Sequence, residues 1–110
     1  MTVHYLLNCY NNQILVKQEQ VNGEADAFHV NIQSNNNPLS FGNTLYTASS
    51  KEQAVRIADQ LCEFYSLART NGYRLEGTIF RSENKPDIAV EYVLNVERTA
   101  DELHKLLQGA

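Results

Sequence analysis

The 110-residue sequence predicts an α+β fold: an antiparallel sheet of about five strands, one long helix packed on one face, and a short C-terminal helix. Three observations predict this fold class. Several short segments alternate between apolar and polar residues with a period of two, which is typical of half-buried strands. One longer segment repeats its apolar residues at helical spacing. Tight-turn residues separate neighbouring strands, and such local hairpins favour antiparallel pairing.

The N-terminal part of the chain predicts a meander of short strands. Asn11-Asn12 and Asn22-Gly23 are tight-turn sequences, because Asn and Gly accept positive φ angles. Residues 2–10 and 27–33 alternate with a period of two, and residues 13–21, which contain Ile14, Leu15, Val16 and Val21, are interpreted as the return strand of a hairpin. We therefore expect strands over residues 2–10, 13–21 and 27–33, and a short edge strand over residues 45–47.

The clearest pattern predicts a helix over residues 50–71. Ser49 followed by Glu52 fits a capping box, and Asn71-Gly72 supplies a C-terminal stop. The apolar stripe of this helix comprises Ala54, Ile57, Ala58, Leu61 and Tyr65. We expect the stripe to cover one face of the sheet. The residues expected on that face are Val3, Tyr5, Leu7, Phe28, Val30, Ile32, Leu75, Ile79, Val90, Tyr92 and Leu94.

The C-terminal part predicts a second hairpin, made of residues 73–81 and 88–96, and then a short helix. Thr99 and Glu102 repeat the capping-box pattern at the start of that helix. The predicted order is β-β-β-(β)-α-β-β-α. Because a chain of this length is typical of one domain, we expect residues 1–110 to form a single α+β domain.

The composition limits which partners and which cellular location the sequence favours. The net charge is −4 and no basic stripe appears, so the sequence does not favour nucleic acid, whose phosphates need Lys and Arg. No apolar stretch reaches the length of a membrane span, and the N-terminus lacks a signal-peptide pattern. We therefore expect a cytoplasmic location and no membrane partner. The two cysteines, Cys9 and Cys62, are interpreted as small buried apolar residues.

No catalytic, metal or cofactor motif stands out. His4 and His29 both point away from the predicted core, but beyond Glu91 on the same side no third ligand is evident, so the sequence does not predict a metal site. Cys9 is in phase with core residues, which raises the pKa of a thiol and makes it inert. The sequence assigns no catalytic residue, metal or cofactor. It favours a non-enzymatic protein and leaves an enzyme open.

The face of the sheet that the long helix leaves uncovered is the predicted binding surface. It mixes aromatic, aliphatic and polar residues, and such a mixture is typical of an interface. We expect the chain to be a small acidic binding protein, acting on a protein partner as an adaptor, inhibitor or chaperone and forming a homodimer through this face. The residues expected to bind the partner are His4, Leu6, Tyr10, His29, Phe80 and Val93.

A second hypothesis is a small-molecule or nucleotide-binding domain, which would include the enzyme alternative. Its ligand would lie between the 34–47 loop and the sheet. The polar contacts would come from Asn43, Tyr46, Arg74 and His29.

The order of elements over about residues 1–108 partly resembles the secretion chaperones of the α/β type. The resemblance rests on element order rather than on a motif, and this chain lacks the first helix of that family. Members of the family are acidic and dimeric and clasp an effector protein, so the resemblance implies a dimer and a protein partner. An inhibitor of a host system, encoded by a phage or plasmid, fits the sequence equally well.

Overall fold

The computed structural model describes residues 2–10, 12–19, 27–34 and 43–108. They belong to two units, Met1–Asp59 and Gln60–Ala110, and the long helix contributes residues to both. The elements are β1 (Thr2–Cys9), β2 (Asn12–Glu19), β3 (Ala27–Ser34), β4 (Asn43–Ala48), α1 (Lys51–Thr70), β5 (Arg74–Glu76), β6 (Ile79–Ser82), β7 (Lys85–Ala89), α2 (Val90–Leu94) and α3 (Ala100–Gln108). The predicted α+β class, with its long helix and short C-terminal helix, is confirmed. The single domain stays a prediction.

The strands form two antiparallel sheets, one in each unit. In the N-terminal unit the order is β1-β2-β3-β4, so β1 and β4 are the edge strands of the described sheet. One face of this sheet forms the core of the unit, where Ile14, Val16, Val30 and Ile32 are at most 5% exposed. The first half of α1 packs on that face and buries Ala54, Ile57 and Ala58.

A β-bulge changes the phase of β1 near its start. Tyr5 pairs with Val16, but Val3 rather than His4 pairs with Lys17, so His4 is the extra residue. Since neighbouring strand residues point to opposite faces, the bulge moves Val3 from the core face, where we expected it, to the opposite face. Val3 is accordingly 49% exposed. Sequence alternation gives no warning of such an insertion.

The helix termini follow the sequence closely. Gln53 N donates to Ser50 Oγ at 3.2 Å, so α1 is capped by Ser50, one residue later than expected. Gly72 ends α1 with a φ of +83°, and Tyr73 N donates back to Ala68 O at 2.9 Å. The second capping box is confirmed. Its two reciprocal bonds are Glu102 N to Thr99 Oγ1 at 3.3 Å and Thr99 N to Glu102 Oε1 at 3.2 Å.

The C-terminal unit has a three-stranded sheet in the order β5-β6-β7 where the sequence predicted two longer strands. Gly77, with a φ of +62°, lies in a tight turn between β5 and β6, and Glu76 pairs with Ile79 across it. The turn resets the alternation, so Phe80 points inward and is 1% exposed. Its ring lies 5.0 Å from that of Phe64 and 6.3 Å from that of Tyr65.

The segment after β7 changes from strand to helix. Residues 88–96 were expected to be one strand, but the strand ends at Ala89 and α2 begins at Val90. The period of the side chains therefore changes from two to 3.6. As a result Val93, expected on the uncovered face, is fully buried, and Tyr92, expected in the core, is 54% exposed. Both positions were predicted wrongly for this one reason.

Gln60 joins α1 to the segment after α2 within the C-terminal unit. It is 6% exposed and is the one buried polar side chain among the described residues. Its Nε2 donates to the carbonyl oxygens of Val93 and Val96, both at 3.0 Å, and its Oε1 accepts from Arg98 N at 2.8 Å. A carboxamide can donate and accept together, so Gln60 satisfies three backbone groups near the end of α2.

We predict that Gln60→Ala destabilises the protein by about 2–4 kcal/mol, because Arg98 N and Val96 O lose this buried partner and Val93 O keeps only its bond from Arg98 Nε. Glu63→Ala, one turn further along α1 and exposed, should change the free energy of unfolding by less than about 0.5 kcal/mol. Urea denaturation of both variants measures the difference. Equal losses in the two variants would contradict the role given to Gln60.

Candidate functional site

The candidate site is the face of the N-terminal sheet opposite α1, which we name the outer sheet face. Strand register assigns its residues to three rows that run across the strands. The first row is Val3, Lys17, His29 and Thr47; the second is Leu6, Leu15, Asn31 and Thr44; the third is Asn8, Gln13 and Gln33. Tyr10 lies in the turn that follows β1.

Polar side chains on the β2–β4 side of this face bond to one another across the strands. His29 Nδ1 lies 2.9 Å from Thr47 Oγ1, and Thr44 Oγ1 donates to Asn31 Oδ1 at 3.0 Å. In the third row Gln33 Nε2 donates to Gln13 Oε1 at 3.3 Å, and Gln13 Nε2 donates to Asn8 Oδ1 at 3.4 Å. These groups therefore already have partners within the sheet, which reduces the free energy needed to remove water from them.

Exposed apolar side chains concentrate at the β1 edge of this sheet, on β1 itself and in the turn that follows it. Five large apolar side chains are about half exposed in the described ranges, and three of them are Val3, Leu6 and Tyr10, at 49%, 48% and 52%. We name these three residues the apolar edge. The opposite edge strand, β4, has none of this kind: Leu45 and Ala48 are buried and Thr44 and Thr47 are exposed. The two edges of one sheet thus differ in character.

The outer sheet face is almost free of charge. Lys17 is the one Lys, Arg, Asp or Glu residue in the three rows, and β1 has none. Exposed edge strands usually carry charged residues or proline that discourage pairing with another chain. Depletion of charge combined with exposed apolar residues is typical of the centre of a protein interface.

His4 and His29 lie on opposite faces of the sheet. The bulge directs His4 to the core-side face, where its Nε2 is 2.6 Å from Gln18 Oε1 and its ring is 5.8 Å from that of Phe28. His29 is on the outer sheet face beside Thr47. The expected position of His4 beside His29 was therefore wrong. Within the ranges that the structure describes, no group of three or more His, Cys, Asp or Glu residues could hold a metal ion.

Two residues of the alternative ligand site, Tyr46 and His29, lie on opposite faces of the N-terminal sheet. Tyr46 pairs in register with Val30 on the core-side face and accepts a hydrogen bond from Gln53 Nε2 at 3.4 Å, whereas His29 lies on the outer face. Arg74 belongs to the C-terminal unit, where its Nε is 3.2 Å from Glu76 Oε1. Asn43 begins β4, and residues 35–42 of the expected loop lie outside the described residues.

Of the six predicted partner-binding residues, the structure places Leu6 and His29 on the outer sheet face and Tyr10 in the turn after β1. Phe80 and Val93 are buried inside the C-terminal unit, and His4 lies on the core-side face. The sequence missed Val3, because only the bulge places it on the outer face. It also missed Leu15, which belongs to the second row although it is 5% exposed.

Both cysteines differ from expectation. Cys9 and Cys62 are disulfide-bonded, and neither is a free thiol. The interpretation of the pair as small buried apolar residues is therefore incomplete. Cys9 is indeed buried, at 2% exposed, but its sulfur is engaged in a covalent bond.

Tyr5 joins β1 to the first half of α1. Its hydroxyl donates to Asp59 Oδ1 at 2.6 Å. This hydrogen bond, burial of the ring and the negative charge of Asp59 all raise the pKa of Tyr5 above its usual value. All three favour the neutral phenol in the folded protein. Their contribution to the free energy of unfolding is therefore complete below a pH of about 10 and is lost as the pH rises through the raised pKa of Tyr5.

We predict that Tyr5→Phe lowers the free energy of unfolding by about 1 kcal/mol near neutral pH. The difference between wild type and variant should shrink above a pH of about 10, because the ionised phenolate can no longer donate to Asp59. Denaturation at a series of pH values measures this difference, with the exposed Tyr92→Phe as the control. A Tyr5→Phe effect that stays constant into the alkaline range would contradict the assignment.

Comparisons with protein-family models, with curated proteins and with solved structures found no match. Among the described residues, no helix combines the length and the apolar character that crossing a membrane requires. The case for function therefore rests on the geometry of the chain itself.

Proposed function

We propose that this chain is a non-enzymatic protein-binding module that forms a homodimer through its outer sheet face, with the apolar edge at the centre of the contact. The observation that carries the proposal is the clustering of Val3, Leu6 and Tyr10 along one uncharged edge strand. Burial of a half-exposed apolar side chain of this size contributes about 1 kcal/mol. Two copies would bury both sets, and this gain would favour association.

The polar part of the outer sheet face is also compatible with dimer formation. Asn31 with Thr44 and His29 with Thr47 are already hydrogen-bonded within the sheet. Covering them leaves no polar group of these pairs without a partner, so desolvation opposes the contact only weakly. A face of this kind can associate through its apolar edge without new hydrogen bonds to most of its polar groups.

The near absence of charge favours a second copy over a charged partner. Lys17 is the single charged residue in the three rows, so a strongly charged partner would find few charges on this face to pair with. A twofold contact places the same patch on both sides, and a neutral patch meets its copy without like-charge repulsion. The same argument supports the exclusion of nucleic acid, which would need several cations on this face.

The role that follows from dimerisation stays open among an adaptor, an inhibitor and a chaperone that acts on a protein partner. The cytoplasmic location expected from the sequence also stays a prediction. The disulfide-bonded state of Cys9 and Cys62 weighs against it, because disulfides persist mainly in oxidising compartments.

We predict that Leu6→Asp converts the dimer to a monomer, because it places a charge in the apolar edge of each copy. Val96→Asp is the matched control: Val96 is 51% exposed, as Leu6 is at 48%, and it lies in the C-terminal unit. Sedimentation or light scattering over a range of concentrations gives the mass of each protein. A monomeric wild type, or a Leu6→Asp variant that keeps the dimer mass, would contradict the proposal.

A further inference from the structure

A second group of exposed apolar residues lies in the C-terminal unit. Besides the apolar edge, the described ranges contain two large apolar side chains that are about half exposed, Tyr92 at 54% and Val96 at 51%. Tyr92 belongs to α2, and Val96 directly follows the C-cap residue of that helix, Asn95. We name Tyr92 and Val96 the apolar pair. Single exposed apolar residues are common on protein surfaces, so the surroundings of the pair decide whether it indicates an interface.

Hydrogen bonds hold the apolar pair within one compact segment. Gln60 Nε2 lies 3.0 Å from the carbonyl oxygens of both Val93 and Val96, so the backbone folds back on itself between these two residues. Arg98 closes the same segment, because its Nη2 donates to Tyr92 O at 3.2 Å. A segment that is fixed in this way loses little conformational entropy when a partner binds to it.

The Tyr92 ring is both held in place and accessible. The guanidinium carbon of Arg98 lies 5.2 Å from the centroid of the ring, which is a cation–π contact. The same guanidinium donates to the carbonyl oxygens of Tyr92 and Val93, at the C-terminal end of α2. These carbonyls carry partial negative charge, so the cation of Arg98 is already partly compensated within the unit. A fixed and exposed aromatic ring is typical of the residues that dominate protein interfaces.

The chain around the apolar pair is acidic. Residues 90–102 contain four carboxylates and one cation, which is Arg98. The carboxylates are all exposed, and they belong to Glu91, Glu97, Asp101 and Glu102. Two of them lie in the first turn of α3, where the helix dipole favours a negative charge, but they still contribute to the negative potential that a partner meets. We name the apolar pair together with these four carboxylates the acidic surface.

We infer that the acidic surface binds a basic segment of a protein partner, one that presents Lys or Arg beside a large apolar side chain. Such a segment complements both the charge of the surface and its apolar pair. A second copy of the chain fits less well, because a twofold contact would place carboxylates against carboxylates. The inference rests on the proposed function in treating the chain as a protein-binding module, and it adds the chemistry of the partner. It uses no residue of the outer sheet face.

Synthetic peptides test the chemistry of the partner. A panel in which Lys residues are combined with Leu or Phe at various spacings is titrated against the full chain by fluorescence anisotropy. Each peptide has two counterparts, one with Glu in place of Lys and one with Ser in place of Leu or Phe. We expect the best peptide to bind at least about tenfold more tightly than either counterpart, and less tightly as salt is added. A panel without this preference would overturn the inference.

Two substitutions test the apolar pair. We expect Tyr92→Ser to weaken binding of the best peptide at least about tenfold and Val96→Ser at least about threefold, whereas Tyr92→Phe keeps the ring and should preserve binding. Val96→Ser leaves the contact between Arg98 and Tyr92 in place, so a loss in this variant does not come from a loosened α2. Unchanged binding in either serine variant would overturn the inference.

A matched pair of charge reversals tests the carboxylates. Glu91→Lys reverses a charge beside Tyr92. Glu83→Lys makes the same change in the turn between β6 and β7, at the opposite end of that hairpin from α2, and Glu83 is exposed as Glu91 is. We expect Glu91→Lys to weaken the peptide at least about threefold and Glu83→Lys by less than about 1.5-fold. Equal effects would mean that only the net charge attracts the peptide, and would overturn the assignment to this surface.

The homodimer and the acidic surface fail separately. Light scattering without peptide reports the mass of the chain, and the dissociation constant of the peptide reports the acidic surface. Tyr92→Ser should keep the wild-type mass, and Leu6→Asp should keep the peptide affinity to within about twofold. A monomeric wild type that binds the peptide preferentially overturns the homodimer alone. A dimeric wild type without that preference overturns the acidic surface alone.

Discussion

Burial of one face of the N-terminal sheet determines what the other face displays. Ile14, Val16, Val30 and Ile32 are removed from water together, and no one-residue slip of β2 or β3 can keep them buried. Once these two strands are fixed, the register of β1 follows from its pairing with β2. The bulge then decides which β1 residues reach the outer sheet face. The apolar edge is therefore a consequence of core packing combined with one inserted residue.

The C-terminal unit is held by a different kind of interaction. The rings of Phe64 and Phe80 pack together at its centre. In addition, the buried carboxamide of Gln60 hydrogen-bonds to backbone groups around the end of α2. Arg98 adds further bonds there: its Nε donates to Val93 O at 3.1 Å and its Nη2 to Tyr92 O at 3.2 Å. A five-residue helix has little stability of its own, so such bonds to its carbonyls are needed to define it.

The sequence predicted the element types where patterns are long or locally encoded. The helix α1, the Thr99–Glu102 capping box and the glycine stop at Gly72 depend on neighbouring residues, and all are present. The N-terminal meander was likewise predicted with its pairing order. The phase of single strands was less predictable. A bulge at His4 and a turn at Gly77 change the phase of the alternation, and the change to helix at Val90 replaces its period of two with 3.6. The alternation in the sequence cannot reveal such changes.

The candidate site was predicted in part for the same reason. Leu6 and His29 lie within uninterrupted alternation and reach the expected face, whereas Val3, Phe80 and Val93 lie beside a bulge, a turn and a strand-to-helix change. Gln60 was missed because a glutamine on a helix is usually solvated, and only tertiary packing shows which carbonyls it meets. No sequence pattern predicts the positive φ angle of Tyr10.

Two copies of the chain are proposed to meet at the outer sheet face, with the apolar edge at the centre of the contact. Hydrogen–deuterium exchange at a series of protein concentrations tests this contact most directly, because amides along β1 lose access to water when a second copy covers the apolar edge. The account predicts slower exchange in β1 as concentration rises, with unchanged exchange in β4 at the opposite edge. Exchange in β1 that is independent of concentration, or protection that appears at β4 instead, would contradict it.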